Sequence, residues 1–231
     1  LSRGLGDVYK RQGYVQLVWI PSYISILFFT HWKLVVPGAN DNLTGCVNAM
    51  AVMKYLSDND IRFENTEVRA VLTGSEEAGL RGAKAYAKKH HDECLETETI
   101  FIGYDTMRDY DDMAIYSRDM TGTVKNDIRV CNLMKKAGEY AGLDLPFKSV
   151  FFGSSDAAAI SQAGIPGATF AAMDPTPARY YHTRLDTADN LDPKMIEAGL
   201  NLALETTYLF DKEGLKESYC CLLYTSDAAD E

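Results

Sequence analysis

The sequence has few basic side chains for its size. Lys and Arg total 23 against 33 Asp and Glu in 231 residues, which gives a formal net charge of −10. A protein that binds nucleic acid through its phosphates needs a concentrated basic surface. The charge balance therefore argues against a nucleic-acid partner. A hydrophobic fraction of 46% with 24% charged residues is typical of one globular domain and excludes wholesale disorder.

Cysteine is also scarce. The five cysteines lack the paired spacing of a disulfide framework. We expect Cys46, Cys94 and Cys131 to be free thiols, because an odd number of cysteines does not form a complete disulfide set.

Long apolar runs are absent as well. Pro21 and Ser22 break the apolar stretch at residues 14–29, whereas a membrane helix needs about 20 consecutive apolar residues. We therefore expect no membrane span. The β-branched and aromatic residues of this stretch favour two strands, at residues 14–20 and 23–30.

The two ends differ from the rest of the chain. Residues 1–12 and 221–231 show neither helical nor strand periodicity. The complementary strand of back-translated residues 7–12, read one base out of frame, can encode the peptide at residues 221–226. Such an inverted repeat is typical of sequencing adapter translated with a metagenomic gene fragment. We expect residues 13–220 to be the native domain, truncated at its N-terminus, so that localisation and oligomeric state stay unknown.

Between those ends, helix-like and strand-like segments alternate. Amphipathic spacing and end signals predict helices at residues 43–57, 78–91, 123–141, 156–163 and 192–212. Further strands are predicted at residues 67–73, 99–104, 112–117, 148–152 and 167–172. This alternation favours an α/β class, a single layered domain with a mixed, mostly parallel sheet flanked by helices.

Acidic residues and histidines stand beside the predicted ends of these elements. They are His31, Asp41, Glu76, Glu77, Asp105 and His182. Ligand-binding loops gather at the carboxyl ends of strands in open α/β sheets. Two histidines and four carboxylates on converging loops suit a pair of divalent ions, especially zinc. Taken singly, each residue also fits a structural role in a turn or a helix cap.

The order of the motifs is more specific than any one of them. In chain order they read His31, Pro37-Gly38-Ala39-Asn40-Asp41-Asn42, Ser75-Glu76-Glu77-Ala78-Gly79-Leu80-Arg81-Gly82, Tyr104-Asp105-Thr106-Met107 and Tyr181-His182-Thr183-Arg184-Leu185-Asp186-Thr187. The sequence resembles the co-catalytic di-zinc exopeptidases, which include bacterial leucyl aminopeptidases and glutamate-carboxypeptidase-like enzymes. The resemblance covers residues 23–209 and implies a zinc-dependent aminopeptidase that acts on peptide substrates.

The resemblance also implies a set of metal ligands. Asp41 would bridge two Zn²⁺ ions, a role that a carboxylate can fill because it has two acceptor oxygens. His31 and Asp105 would complete one metal site, and Glu77 and His182 would complete the other. Other divalent ions would suit the same ligands.

Four further side chains have an expected role near the substrate. Glu76 would act as the general base that takes a proton from the attacking water. Asp186 would orient the His182 imidazole or cap its local turn. Tyr181 would donate a hydrogen bond to the tetrahedral intermediate or form a wall of the pocket. Asp156 would face the substrate amine or cap the helix that follows it.

One position departs from the family pattern. The family has His-x-Asp at the first motif, whereas this sequence has His31-Trp32-Lys33, and the stretch from His31 to Asp41 is shorter than usual. Lysine cannot accept a hydrogen bond from the histidine, and its charge opposes zinc binding. An altered site, a shift in the alignment and a sequence error near the fragment's start all explain the departure. The alternative functions are a carboxypeptidase-like or glutaminyl-cyclase-like enzyme of the same fold, or a metal-free binding domain.

The substitution Lys33→Asp distinguishes these explanations. If Lys33 damages the metal site, an aspartate at this position supports His31 and raises zinc affinity about 10–100-fold, the usual effect of such a partner. Isothermal titration calorimetry measures the affinity, and Lys88→Asp controls for the change in net charge. An unchanged zinc affinity would indicate instead that the first motif is misaligned with the family pattern.

Overall fold

The computed structural model describes residues 11–29, 35–174, 176 and 178–224, without the side chains of residues 28, 29 and 221–224. The chain divides after Val35 into two compact units. In the first unit, residues 11–17 and helix α1 (Ile20–Phe29) are helical. The strands predicted at residues 14–20 and 23–30 are therefore wrong over the described residues. A nearly continuous apolar run does not distinguish a helix from a strand, because it lacks the alternation that marks a strand.

The second unit alternates helices and strands. Its helices are α2 (Thr44–Asp58), α3 (Arg81–Lys89), α4 (His91–Glu96), α5 (Ile128–Tyr140), α6 (Asp156–Gln162) and α7 (Pro193–Glu213). Its strands are β1 (Phe101–Met107), β2 (Met113–Asp119), β3 (Val124–Lys125), β4 (Phe147–Ser149) and β5 (Gly167–Ala172). Short 3-10 turns occupy Tyr110–Asp112, Ala188–Asn190 and Glu217–Tyr224. Most predicted elements are present with boundaries shifted by a few residues.

The structure also describes the hydrophobicity of the helices and the state of four cysteines. No helix among the described residues is both long enough and apolar enough to cross a bilayer. Cys46, Cys94, Cys131 and Cys220 are free thiols.

The sheet has the strand order β1-β5-β2-β3, with β4 beside β2. β1 runs parallel to β5, with Tyr104 opposite Phe170, and β4 runs parallel to β2. β2 is antiparallel to both β5 and β3. The α/β class and the mixed sheet flanked by helices are confirmed. Two of the four described strand pairings are parallel and two are antiparallel.

The strand predicted at residues 67–73 is absent from the described sheet. These residues have no regular secondary structure, and together with residues 99–104 they line a cavity of about 430 Å³. Alternation of polar and apolar residues produces a strand only where a neighbouring strand supplies backbone hydrogen bonds. β1 lies at the edge of the described sheet. The Asn42 side-chain amide donates to the β1 carbonyl of Tyr104 at 2.7 Å, so this carbonyl is already occupied by a hydrogen bond that a neighbouring strand could otherwise supply.

The alternation of side chains along β5 separates the two faces of the sheet. Phe170 belongs to the main core, where it packs with Ile115 from β2 and with residues of α5 and α7. On the opposite face of the sheet, Gly103 of β1 lies against Ala157 of α6. A Cβ on Gly103 would lie 3.4 Å from the Ala157 Cβ. Small residues on this face let α6 approach the sheet closely. The sheet is thus buried on both sides, and its loops are left to form the site.

Loss of the Phe170 ring is expected to destabilise the fold strongly. Phe170 is 0% exposed, and Phe170→Ala should lower the free energy of unfolding by about 3–5 kcal/mol. Phe152→Ala is the matched control, because Phe152 is 81% exposed and surface changes stay within about 0.5 kcal/mol. Urea unfolding followed by circular dichroism measures both. Similar losses for the two variants would contradict the assignment of the core.

Candidate metal centre

Asp41 lies in the irregular turn Ala39–Leu43, which leads directly into α2. Its backbone is not helical (φ −115°, ψ 88°), and the Asp41–Asn42 peptide bond is cis. The hydroxyl of Thr44 donates to the Asn40 carbonyl at 2.7 Å, which closes the turn onto the helix. The bond from Asn42 to Tyr104 ties the same turn to β1, beside Asp105. The turn therefore holds the Asp41 carboxylate near the end of β1.

Glu76 and Glu77 project from a tight turn whose shape requires the glycines of the motif. Gly79 has a φ of +94°, which other residues rarely adopt. A Cβ at Gly82 would lie 2.5 Å from the Gly74 carbonyl oxygen, and the Gly82 N–H donates to that oxygen at 2.9 Å. This close backbone contact explains why the motif continues to a second glycine.

His182 lies on the loop between β5 and α7. The loop is anchored to the chain after β1, where the Tyr180 hydroxyl donates to Asp109 at 2.7 Å. Arg108 lies over the Tyr180 ring at 5.2 Å and donates to the Asn190 side chain at 2.8 Å. Sequence reasoning missed this anchor, because nothing local in the sequence connects the residues that form it.

Three of the expected ligands meet in the described structure. His182 Nε2 lies 3.1 Å from Asp41 Oδ2 and 3.2 Å from Glu77 Oε1. One ligand atom from each residue lies within 4.8 Å of the others. Two carboxylates and an imidazole are hard-to-borderline donors that fit zinc and similar divalent ions. The donor set therefore fits the metal that the sequence predicts.

The second half of the expected centre is described only in part. Asp105 is the last residue of β1 before its register with β5 shifts. Thr106 Oγ1 donates to the Asp105 carboxylate at 3.0 Å. Asp105 lines a cavity of about 370 Å³. Glu76 and the three expected ligands line the same cavity. His31 and Lys33 lie outside the described residues, so the roles assigned to them stay predictions.

Crowding of carboxylates raises their pKa values. Burial is the largest cause for Glu76, whose pKa rises to about 7, and the charges of Glu77, Asp156 and Asp41 raise it further. Burial followed by the Glu77 charge raises the pKa of Asp41 to about 6, against a lowering influence from His182. Burial also raises the pKa of Asp105, and the charges of Asp41 and Glu76 add to the effect. A bound cation would relieve this repulsion.

Tyr181 stacks on the His182 ring, with centroids 3.9 Å apart and planes inclined by 17°. It also lines the cavity, which agrees with a wall of the pocket. Burial raises its pKa, and the charge of Asp105 contributes next. The hydroxyl therefore stays protonated at neutral pH and retains the proton that an oxyanion donor needs.

Asp156 and Asp186 have contacts that the sequence did not reveal. Asp156 is the first residue of α6, after Ser155 in the N-cap position, and its carboxylate accepts a hydrogen bond from the Thr73 hydroxyl. Asp186 accepts hydrogen bonds from Asn40 and from the Asp41 backbone. Among the described contacts, the Asp186 carboxylate therefore holds the turn that carries Asp41. The expected contact of Asp156 with a substrate amine stays a prediction.

Asp119 at the end of β2 is a buried carboxylate that was not expected from the sequence. It is 0% exposed and accepts hydrogen bonds from the Ser155 N–H at 2.9 Å and the Ser155 hydroxyl at 2.5 Å. Its charge also helps to raise the pKa values of Glu76 and Asp105. The predicted strand stopped at residue 117, two residues too early to mark Asp119 as a strand-end residue.

Comparison with known proteins identifies the family. The model of peptidase family M28 matches residues 23–207, which is most of the chain. The chain belongs to peptidase family M28. The M28 assignment confirms the resemblance to metallopeptidases that the motifs predict. None of the curated proteins matches the chain.

Solved structures similar to this M28 chain include two aminopeptidases and a cyclase. The aminopeptidase of Aneurinibacillus sp. strain AM-1 has 28% identity and a TM-score of 0.63, over 75% of this chain and 40% of that one. The zinc aminopeptidase of Bacillus subtilis has 23% identity and a TM-score of 0.60, over 75% of this chain and 42% of that one. The Acidobacteriales bacterium glutaminyl cyclase has 20% identity and a TM-score of 0.60, over 79% and 65%. The chain thus spans less than half of either aminopeptidase, and the Bacillus subtilis enzyme and the cyclase show the fold alone.

The carboxylate cluster predicts how the metal-free protein responds to pH. The pKa values of Glu76 and Asp41 are raised in the folded state, to about 7 and about 6. At these two groups the folded state binds more protons than the unfolded state, so their contribution to stability falls as the pH rises from about 4 to about 7. Thermal melts in EDTA measure this contribution by comparison with a variant that lacks one of the groups. In parallel melts without EDTA, zinc should raise the melting temperature more at the upper end of the range.

The matched variant for this test is Glu76→Gln, which removes one of the raised carboxyl groups while keeping the shape of the side chain. Relative to the wild type, the variant should gain stability as the pH rises from about 4 to about 7. The same pH dependence in the variant and the wild type would contradict the raised pKa of Glu76.

Proposed function

We propose that this M28 chain is the catalytic part of a zinc-dependent aminopeptidase that removes N-terminal residues from peptides. The observation that carries the proposal is the convergence of Asp41, Glu77 and His182 within 4.8 Å, in a cavity that Glu76 also lines. The similar folds of the Aneurinibacillus and Bacillus subtilis aminopeptidases support it.

Two Zn²⁺ ions would be held by residues from both halves of the centre. Asp41 would bridge them, Glu77 and His182 would hold one, and Asp105 and His31 would hold the other. Bound zinc would polarise the scissile carbonyl and make an attacking water more acidic.

Glu76 would transfer the proton of the reaction. Its carboxylate lines the cavity without joining the three-residue ligand cluster. A pKa of about 7 suits a general base at neutral pH, because about half of such groups are ionised and able to accept a proton that they can later return. Glu76 would take the proton of the attacking water and pass it to the amine that leaves.

The cavity has few cations to bind a substrate carboxylate. Lys84 is the only cation among its described lining residues, and its ammonium donates to the Gly79 carbonyl at 3.0 Å. A carboxypeptidase needs a cation for the terminal carboxylate of its substrate. The four lining carboxylates would be balanced by two bound Zn²⁺ ions, so they give no preference for a substrate amine. The shortage of cations supports the aminopeptidase over the carboxypeptidase-like alternative.

The substitution Glu76→Gln should abolish most of the activity. Loss of a general base typically lowers the rate about 10²–10⁴-fold, while zinc binding should persist because Glu76 is not assigned as a ligand. The rate is measured with the tripeptide Leu-Gly-Gly, and the metal content by atomic absorption after dialysis against zinc. Glu197→Gln, an exposed position on α7, is the matched control and should keep the full rate.

Blocked forms of the tripeptide test the direction of attack. Acetylation of its N-terminus should prevent cleavage, and amidation of its C-terminus should not. The opposite result would support a carboxypeptidase, and cyclisation of an N-terminal Gln peptide would support a cyclase. Protein that retains no zinc, or a Glu76→Gln rate equal to that of Glu197→Gln, would contradict the proposal.

A further inference from the structure

Asp186 joins the two segments that bring Asp41 and His182 together. Its side chain is buried, with 1% of the residue exposed. Oδ1 accepts hydrogen bonds from the backbone N–H and the side-chain amide of Asn40, both at 2.8 Å. Oδ2 accepts the backbone N–H of Asp41 at 3.0 Å. Every one of these bonds reaches the turn that presents the Asp41 carboxylate.

The backbone adds a further connection between the same segments. The Ala39 N–H donates to the Asp186 carbonyl at 3.3 Å. Asp186 therefore contacts three successive residues of the turn, through its side chain and its main chain. A contact that spans three residues fixes the orientation of the turn as well as its position.

Asp186 is also rigidly linked to His182. The Asp186 N–H donates to the Thr183 carbonyl at 3.1 Å, and the Thr183 N–H donates to the Tyr180 carbonyl at 2.9 Å. These bonds fold residues 180–186 into a compact pair of turns, and His182 lies within it in the left-handed region (φ 55°). A displacement of Asp186 would therefore change the position of His182 relative to Asp41.

We propose that Asp186 is a positioning residue of the metal centre, which sets the separation of Asp41 and His182 by holding the Asn40–Asp41 backbone. The inference rests on the proposed function, since both of these residues are expected zinc ligands. In this inference Asp186 supports Asp41, the expected bridging carboxylate. The sequence suggested instead that Asp186 orients His182 or caps the local turn.

The hydrogen-bond chemistry explains why a carboxylate is needed. Asp186 presents acceptors only, and all three groups that face it are donors. In Asp186→Asn, one oxygen becomes an amide that donates, so at least one buried N–H of the turn loses its acceptor. A buried donor without a partner is costly, and the turn would shift to satisfy it. Asp41 would shift with the turn.

The test compares Asp186→Asn with Asp189→Asn, an exposed aspartate three residues further along the chain. Zinc affinity of the metal-free, folded proteins is measured by calorimetry, and the visible spectrum of bound Co²⁺ reports the ligand geometry. We expect Asp186→Asn to weaken zinc binding about 10–100-fold, the range found for residues that support metal ligands, and to alter the Co²⁺ spectrum. Asp189→Asn should match the wild type in both.

A second variant covers the case in which Asp186→Asn fails to fold. Asn40→Ala removes the side-chain amide that donates to Asp186 and to the Asn190 carbonyl. It keeps the Asp186 carboxylate and its two bonds from the backbone, so it should cause a smaller loss of zinc affinity. The two substitutions should be less than additive in the double variant, because both act on the same turn.

The outcomes separate this inference from the function on which it rests. A wild-type protein that binds no zinc would overturn the proposed function. Wild-type zinc binding with unchanged affinity and Co²⁺ spectra in both Asp186→Asn and Asn40→Ala would overturn the positioning role alone, even if both variants unfold at lower urea concentration. Additive effects of the two substitutions would also overturn it.

Discussion

Repulsion between carboxylates that share one small cavity is the constraint around which the loops at the end of β1 are built. Burial and neighbouring charges raise the pKa values of Asp41, Glu76 and Asp105. Such a cluster tends to move apart when no cation is bound, and a metal centre assembles readily only if its ligands are already close. The surrounding chain must therefore hold the ligands through contacts that do not involve the metal.

Those contacts come largely from other acidic residues that accept hydrogen bonds from buried donors. Asp186 holds the turn of Asp41, Asp109 holds the loop of His182 through Tyr180, and Asp119 holds the start of α6. Hydrogen bonds to ionised acceptors are stronger than those between neutral groups. The acidity of this M28 chain therefore has two uses near the site, since some carboxylates are suited to bind cations and others fasten loops to the sheet.

The fold by itself does not decide the reaction. Aminopeptidases and a glutaminyl cyclase have folds similar to this one, and one fold can carry different chemistry on its loops. The residues of the cavity favour one choice among them. Three expected ligands lie together, Asp105 lines the same cavity, and Glu76 has a pKa suited to proton transfer.

The sequence by itself determined the α/β alternation and most of the helices and strands, and it predicted as metal ligands three residues that the structure brings together. Helical and strand periodicity, glycine-bearing turns and ligand chemistry are local properties, so they can be recognised without neighbours in space. Residues 14–29 were assigned wrongly because a nearly continuous apolar run fits a helix as well as a strand. Residues 67–73 were assigned wrongly because a strand forms only where a partner strand is available, and the sequence does not name that partner. Only the tertiary structure decided which carboxylates face the cavity and which fasten the loops. Asp186 meets its partners across 145 and 146 residues of chain, and contacts at that separation leave no periodic pattern in the sequence.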